Sequence, residues 1–376
     1  MVHCICTNTG NAYWQQRLWS WDPVLTPSAI VLLLGILGVI ALPVGIIIFV
    51  QSNNLYENVI QYGGTNSDID CSSGSCTASF AIDSNVNGPL YLYYELTNYY
   101  QNNIKYQSSI PWEQLAGSTE LTDEVETVCS PLLRNDANPS QLLNPCGLVA
   151  RSFFTDMFSL NTFTSTINRM NPTKAALDEA QLVFTNSEYF NQPVGFEYLQ
   201  VNSCPDSCIY SSDNTEACDK DICEVIGENP CWCYKNPSTQ EKFLFHYPDD
   251  DTTEYLYEMY PKQISPIEGV GNEHFKVWMT ISGLPTFRKP YGKIAGPFKS
   301  GDVVNIEVDS SYDVDSFHGT KSLVLTEKYS LGLPNAGIGT TLIVCGTLSI
   351  AVAIGFLFKQ ELYPRALGSP SELNWK

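Results

Sequence analysis

Basic residues and histidine are scarce in this chain: 376 residues carry 20 Lys and Arg against 40 Asp and Glu, with 4 His and a formal net charge of -20. A field of that sign repels phosphate, which excludes nucleic acid as a partner and disfavours anionic headgroups. The acidity is either an ordinary solubilising surface or the complement of a basic partner. Motifs that carry chemistry are also missing. No Walker A loop, HExxH, GxSxG turn or glycine-rich dinucleotide turn occurs. His246, His274 and His318 each stand alone and read as structural. Asp249 to Asp251 and the set Asp309, Asp313 and Asp315 read as solvated turns. An EF-hand loop starting at Asp313 would put His318 where glycine is needed and Val324 where the bidentate Glu belongs. No N-x-S/T sequon free of proline exists, since Asn138, Asn171 and Asn236 each precede Pro, and only the rarer N-x-C at Asn202 is left.

Two long runs without charge are present, Val24–Val50 and Leu331–Phe358. A helix needs about 20 apolar residues to cross a bilayer, so the pair predicts a membrane hairpin with one large loop. A cleaved signal peptide is the alternative for the first run, but its apolar core is typically about 7–15 residues; a signal anchor fits better. Arg17 before the first run and Lys359 and Arg365 after the second point to cytoplasmic termini. The expected organisation is a tail over 1–23, a span over 24–50, an ectodomain over 51–330, a span over 331–358 and a tail over 359–376.

Of the 13 cysteines, Cys71, Cys76, Cys129, Cys146, Cys204, Cys208, Cys218, Cys223, Cys231 and Cys233 lie between the runs. An even number at short spacing suits disulfides on an oxidising side of the membrane. Cys71 with Cys76 closes a Ser/Gly loop, and Cys129 with Cys146 a Pro/Asn-rich one. The six from 204 to 233 allow about 15 pairings; a zinc site is the alternative there, disfavoured by the lack of a neighbouring histidine. Cys4, Cys6 and Cys345 have no evident partner.

The loop reads mainly as strands. Phe80 and Ile82 precede Asn87-Gly88, and Leu90, Leu92, Tyr94 and Leu96 follow on one face, which predicts a hairpin. Phe275, Val277, Met279 and Ile281 alternate, as do Val304, Ile306 and Val308, and then Leu323 and Leu325. Val149, Phe153, Phe154, Met157 and Phe158 have helical spacing, and Thr173 to Leu182 reads as an amphipathic helix. The fold class expected is a two-span membrane protein enclosing a mainly β, disulfide-containing ectodomain, an antiparallel jelly-roll-like sandwich with helical insertions. The tyrosines from Tyr91 to Tyr106 read as cross-strand packing. Gly337, Gly339, Gly346 and Gly355 thin the second span and favour contact with a partner helix.

Several segments resemble one family. Gln15-Gln16-Arg17-Leu18, Trp21, Pro23 and Leu25-Thr26, then Pro43, Gly45 and Ser52-Asn53-Asn54, are similar to the opening of the cell division control protein 50 (ligand-effect modulator) family. Tyr93 to Asn102 resembles its YYGLxNFYQN segment. Pro145 to Ala150 with Ser152-Phe153-Phe154 and Asp156 resembles PCGxIAxSxFND, and Phe275 to Met279 with Leu284 to Lys289 resembles FxVWMRTAALPTFRK. The motifs are in family order from residue 15 to residue 289.

The resemblance implies an accessory β-subunit of a type IV P-type ATPase, a phospholipid flippase. Such a subunit has no reaction and no cofactor of its own. Its partners are the catalytic α-subunit, as a heterodimer, and membrane lipids. It lets the α-subunit leave the endoplasmic reticulum and supports its cycle, and the α-subunit sets the destination among Golgi, endosomes and plasma membrane. The aspartyl-phosphate motif DKTGT is not in this sequence, so the nucleophile is expected on another chain. Gln15, Gln16, Arg17 and Trp21 are the candidate partner-binding residues, with Trp19 and Trp21 suited to the headgroup zone. Two departures stand out. Thr155 replaces a glycan-bearing Asn of the family, and the Cys-rich segment 204–233 matches nothing in it. A trimeric two-span ligand-gated channel is the rival architecture, but its pore needs polar lining, and the second run offers only Thr340, Thr341, Thr347 and Ser349. An adhesion or receptor ectodomain is a third alternative.

Overall fold

The computed structural model describes residues 26–71, 74–164, 197–201, 215–217, 232–235, 242–246, 252–328 and 334–363. They fall into two units: the two long helices, and the domain between them.

The helices run Pro27–Asn53 and Ala336–Leu362, 27 residues each. At about 1.5 Å per residue each is about 40 Å long, enough to cross a bilayer. Their starts lie a few residues inside the apolar runs because capping, not hydropathy, sets them. Thr26 Oγ1 accepts from Ala29 N–H with Pro27 at the first helical position, and Asn335 Oδ1 accepts from Gly337 and Ile338 N–H. Both helices extend past the apolar runs by a short polar turn.

The residues buried between the two helices repeat every seventh position: Gly38, Gly45 and Ser52 on the first, Gly339, Gly346 and Ala353 on the second. Seven residues are close to two helical turns, so each set lines one face. A Cβ on Gly339 would meet Phe49 N at 2.7 Å, and one on Gly346 would meet Leu42 N at 3.0 Å. Position 339 therefore lies against 49 and position 346 against 42, an antiparallel pair. This corrects the expectation that the glycine face of the second span meets a partner helix. Gly339 and Gly346 serve the chain's own hairpin, while Gly355 has open space within 4 Å.

The intervening domain contains thirteen described strands. They are β1 (Glu57–Gly63), β2 (Ser75–Ala81), β3 (Leu90–Leu96), β4 (Leu142–Asn144), β5 (Met157–Thr164), β6 (Glu197–Val201), β7 (Thr215–Ala217), β8 (Trp232–Lys235), β9 (Lys242–His246), β10 (Thr253–Tyr255), β11 (Phe287–Ile294), β12 (Val303–Asp309) and β13 (Lys321–Thr326). One sheet has the order β1-β13-β3-β11 and a second β2-β12-β5, both antiparallel. Their inner faces share one core: Leu90, Leu92 and Leu325 from the first meet Phe80, Val304 and Ile306 from the second. A four-stranded sheet β6-β9-β8-β7 and a parallel pair β10-β4 complete the described strands.

Three local expectations are overturned. β2 and β3 do not form a hairpin: β2 pairs with β12, whereas β3 pairs with β13 and β11. The Asn87-Gly88 connection carries the chain from one sheet to the other, and Val86 exchanges backbone hydrogen bonds with Phe298. Two strands with apolar inner faces bury more by facing each other across a sandwich than by lying side by side. Phe275 to Met279 is a helix, Glu273–Met279, whose Asn272 cap accepts from Phe275 N–H. Period two cannot be read as strand where the element is so short and enclosed. The helical spacing from Val149 to Phe158 splits. Leu148–Arg151 is one helical turn, while Met157 and Phe158 open β5. Thr173 to Leu182 lies outside the described residues.

Cys71 is bonded to Cys76 and Cys129 to Cys146, with Cα separations of 5.0 and 5.5 Å. The second bond ties the Asp123–Cys129 helix to the start of the Leu148–Arg151 turn, beside Val125 and Leu143. Cys233 on β8 is buried and disulfide-bonded. Cys345 is a free thiol on the second long helix.

Candidate functional site

The three loop segments that carry the resemblance, distant in sequence, converge in the central domain. β3 leads into a loop that begins with Asn98 in the left-handed region, φ 57°, a conformation that Asn tolerates. Its side chain donates to Phe317 O at 2.6 Å. The following residues are hydrogen-bonded to the 282–285 loop. Tyr99 N–H donates to Pro285 O, Gln101 Oε1 accepts from Ser282 N–H, and Asn102 Nδ2 donates to Gly283 O, at 3.0, 3.0 and 3.1 Å. The Tyr99 ring packs against Trp278, Phe287 and Phe317. That fastening leaves Tyr100, Ile104 and Leu284 outward, 57%, 83% and 70% exposed. The result is a pair of loops fastened to each other and carrying apolar tips.

The Pro145-Cys146-Gly147 segment is held from the other side. Gln114 accepts from Cys146 N–H and donates to Leu143 O, and Ser109 Oγ accepts from Leu148 N–H. Gly147 has φ 94°, and a Cβ there would lie 2.7 Å from Ser109 Oγ, so only glycine fits. Trp278 Nε1 donates to Val149 O at 2.9 Å, which joins the Glu273–Met279 helix to this segment.

Among the described residues two lysines are buried. Lys289 points inward from β11 and donates to the carbonyls of Val277, Trp278 and Thr280 at 2.9, 2.8 and 2.5 Å. It closes the C-terminus of the Glu273–Met279 helix, where the last carbonyls lack partners. The Trp278 and Phe287 rings lie 5.2 and 5.5 Å from its nitrogen. Burial pushes its ammonium down from 10.5 to about 7. Lys321 on β13 instead pairs with Asp156 at 2.8 Å, both nearly inaccessible, and donates to Tyr312 O. Asp156 also accepts from Tyr62 O–H and from the N–H groups of Ser311 and Tyr312. Burial, and then the Asp156 charge, hold the Tyr62 phenol well above its usual range. At the edge of the first sheet, Arg288 bridges Glu95 at 2.6 Å and Glu57 at 3.1 Å.

Gln15, Gln16, Arg17 and Trp21, the sequence-derived partner candidates, lie outside the described residues, as do Cys204, Cys208, Cys218, Cys223 and Cys231. Lys289 and the Asp156–Lys321 pair were not singled out from sequence. Both lysines were within reach of period two, because Lys289 falls between the inward Phe287 and Tyr291, and Lys321 two residues before Leu323. Among the described residues, no group of three or more His, Cys, Asp or Glu could hold a metal ion.

Two apolar helices bracketing a disulfide-bonded, mainly antiparallel β domain define a class of two-span membrane protein. The family model described as LEM3 (ligand-effect modulator 3) family / CDC50 family matches residues 48–366, and the chain belongs to that family. It is 28% identical to mouse "Cell cycle control protein 50A" over 94% of this chain and 88% of that protein. It is 27% identical to "Putative ALA-interacting subunit 4" of Arabidopsis thaliana, over 98% and 94% respectively. Similarity to "Phospholipid-transporting ATPase accessory subunit CRF1" of Saccharomyces cerevisiae is 25% identity over 96% and 87%.

Proposed function

We propose that this chain is a non-catalytic accessory subunit of a phospholipid-transporting type IV P-type ATPase, forming a one-to-one heterodimer with the catalytic subunit. The observation that carries the reading is similarity over nearly the whole chain, spans included, to a protein named as an accessory subunit of a phospholipid-transporting ATPase and to one named as an ALA-interacting subunit. The subunit holds the α-subunit in an export-competent state, lets it leave the endoplasmic reticulum and supports its transport cycle beside membrane lipids. Both termini are cytoplasmic in this reading, with the central domain on the oxidising side where its disulfides persist. Gln15, Gln16, Arg17 and Trp21 then meet the partner's cytoplasmic face, and the tips Tyr100, Ile104 and Leu284 meet its lumenal loops.

The geometry of the second span speaks against the channel alternative. Thr340, Thr341, Thr347 and Ser349 donate their hydroxyl protons to carbonyls of their own helix at 2.7–2.9 Å. Such back-bonding satisfies the hydroxyl locally and leaves little to line a pore. Affinity purification of the tagged full chain in mild detergent tests the proposal. A large P-type ATPase should be recovered in equal stoichiometry, and a homotrimer without one would refute the reading.

A further inference from the structure

A partly open cavity of about 200 Å³ lies in the central domain, between β5, the Glu273–Met279 helix and β11. Its volume is many times what one water needs. It also falls short of the about 300–1,000 Å³ of pockets for larger ligands. The size suits a group of a few heavy atoms.

The lining decides the chemistry. Tyr94, Phe153, Phe154 and Tyr291 contribute aromatic rings, and the carboxylates of Asp156 and Glu268 border the same space. His274 also lines it, stacked on Tyr291, and among the described residues no lysine or arginine does. Asp156 is neutralised by Lys321 and accepts from Tyr62, Ser311 and Tyr312 on its far side. The Glu268 carboxylate accepts from Asn272 Nδ2 at 2.7 Å and has no ion pair among the described residues. Among the described residues the Glu268 carboxylate therefore stands without an ion pair beside π-faces. An anion is repelled there. A neutral apolar guest gains nothing from either carboxylate. A bare divalent cation finds too few free oxygens, because the Asp156 lone pairs are occupied. A cation with its charge spread over alkyl groups meets both the rings and the carboxylate, the combination by which aromatic cages bind quaternary ammonium.

We infer that this cavity binds a small alkylammonium group of choline size. The inference rests on the cavity alone and does not depend on the chain being an ATPase subunit. The same group occurs as a free cation and as a lipid headgroup, and one experiment separates the two.

The full chain, purified in a maltoside detergent, is titrated with choline while saturation transfer to the trimethylammonium protons is followed by NMR. Choline should give a saturable signal, and its neutral carbon isostere 3,3-dimethyl-1-butanol should fail to displace it at equal concentration. Glu268→Gln, an exposed position whose amide still accepts from Asn272, should weaken choline about tenfold, as expected for losing one charged contact. Met157→Lys, which puts a cation into the lining, should abolish the signal, with melting temperature reporting that both variants are folded. No transfer, equal displacement by the isostere, or a folded Glu268→Gln with unchanged affinity would each overturn the inference. A signal from dihexanoyl phosphatidylcholine with the same Glu268 dependence assigns the site to lipid headgroups. A signal from choline alone assigns it to the free cation.

Discussion

Lys289 stands against Trp278 in two ways: its ammonium donates to the Trp278 carbonyl at 2.8 Å and lies 5.2 Å from the Trp278 ring. Eleven residues separate them, yet the contact joins the end of a helix to the edge strand β11. Lys289→Met keeps most of the volume but strips donors from three carbonyls. We expect a loss of about 2 kcal/mol, between the cost of orphaned acceptors and the relief of burying no charge. Urea unfolding of the purified chain checks it.

The same lysine sets a pH dependence. Its pKa is about 7 when folded and near 10.5 when exposed. Between those values the unfolded chain binds more protons, so this group's contribution to stability rises with pH from about 7 towards 10.5 and falls as pH drops through that window. The difference in unfolding free energy between wild type and Lys289→Met should widen from pH 7 to pH 9. A constant difference would mean that Lys289 keeps an ordinary pKa.

Asp156 gathers a lysine, a tyrosine and two backbone N–H groups in the core. Asp156→Asn leaves Lys321 buried without its counter-ion, and breaking a buried pair in this way costs about 3–5 kcal/mol. Removing both charges, as Asp156→Leu with Lys321→Met, should cost less than the sum of the single changes. Thermal melts of the three variants test this, and additivity would show that the pair is not coupled.

The Cys71–Cys76 and Cys129–Cys146 disulfides differ in the chain they enclose, with sequence separations of 5 and 17. On the chain-entropy model, breaking them costs about 2 and about 3 kcal/mol respectively. Cys146→Ser should therefore lower the melting temperature more than Cys71→Ser. The larger loss also lies closer to Gly147, whose conformation holds the Leu148–Arg151 turn in place.

How much of this was legible in the sequence depended on the range of the deciding interaction. The apolar runs became helices because their length alone fixes the outcome. The strand around Val304, Ile306 and Val308 was legible too, because a half-buried strand shows its alternation directly. Phe275, Val277 and Met279 alternate just as well, yet the Asn272 cap and the enclosure of Trp278 make a helix there. Local pattern did not distinguish the two. Asn87-Gly88 likewise carries a hairpin signal, but pairing of β2 with β12 and of β3 with β13 outweighs it. The cavity beside Glu268 had no sequence signature at all. Its walls come from positions 94 to 291, and only the fold assembles them.

Close packing of the two long helices gives another test. A Cβ on Gly45 would lie 2.9 Å from Ile343 N and 3.0 Å from Gly339 O, both backbone atoms that cannot swing aside. Gly45→Leu should force the helices apart, whereas Gly355→Leu, with open space around it, should be tolerated. Melting temperatures of the two purified variants in detergent read the difference. An unchanged melting temperature for Gly45→Leu would disprove this packing.

Tyr100, Ile104 and Leu284 offer the sharpest test of the partner reading. Their loops are fastened by Asn98, Gln101 and Asn102, so a charge placed at the tips changes the surface without touching the core. Ile104→Asp and Leu284→Asp should leave the melting temperature of the isolated chain unchanged, as expected for exposed positions. In an interface the same changes desolvate a carboxylate against apolar surface, and each costs about 1–3 kcal/mol of binding. Recovery of the ATPase with the tagged chain should then fall about tenfold, or further in the double variant. Unchanged recovery with both substitutions would move the contact elsewhere on the domain. Reduced recovery accompanied by a lower melting temperature would trace the loss to folding, so both measurements belong on the same preparations.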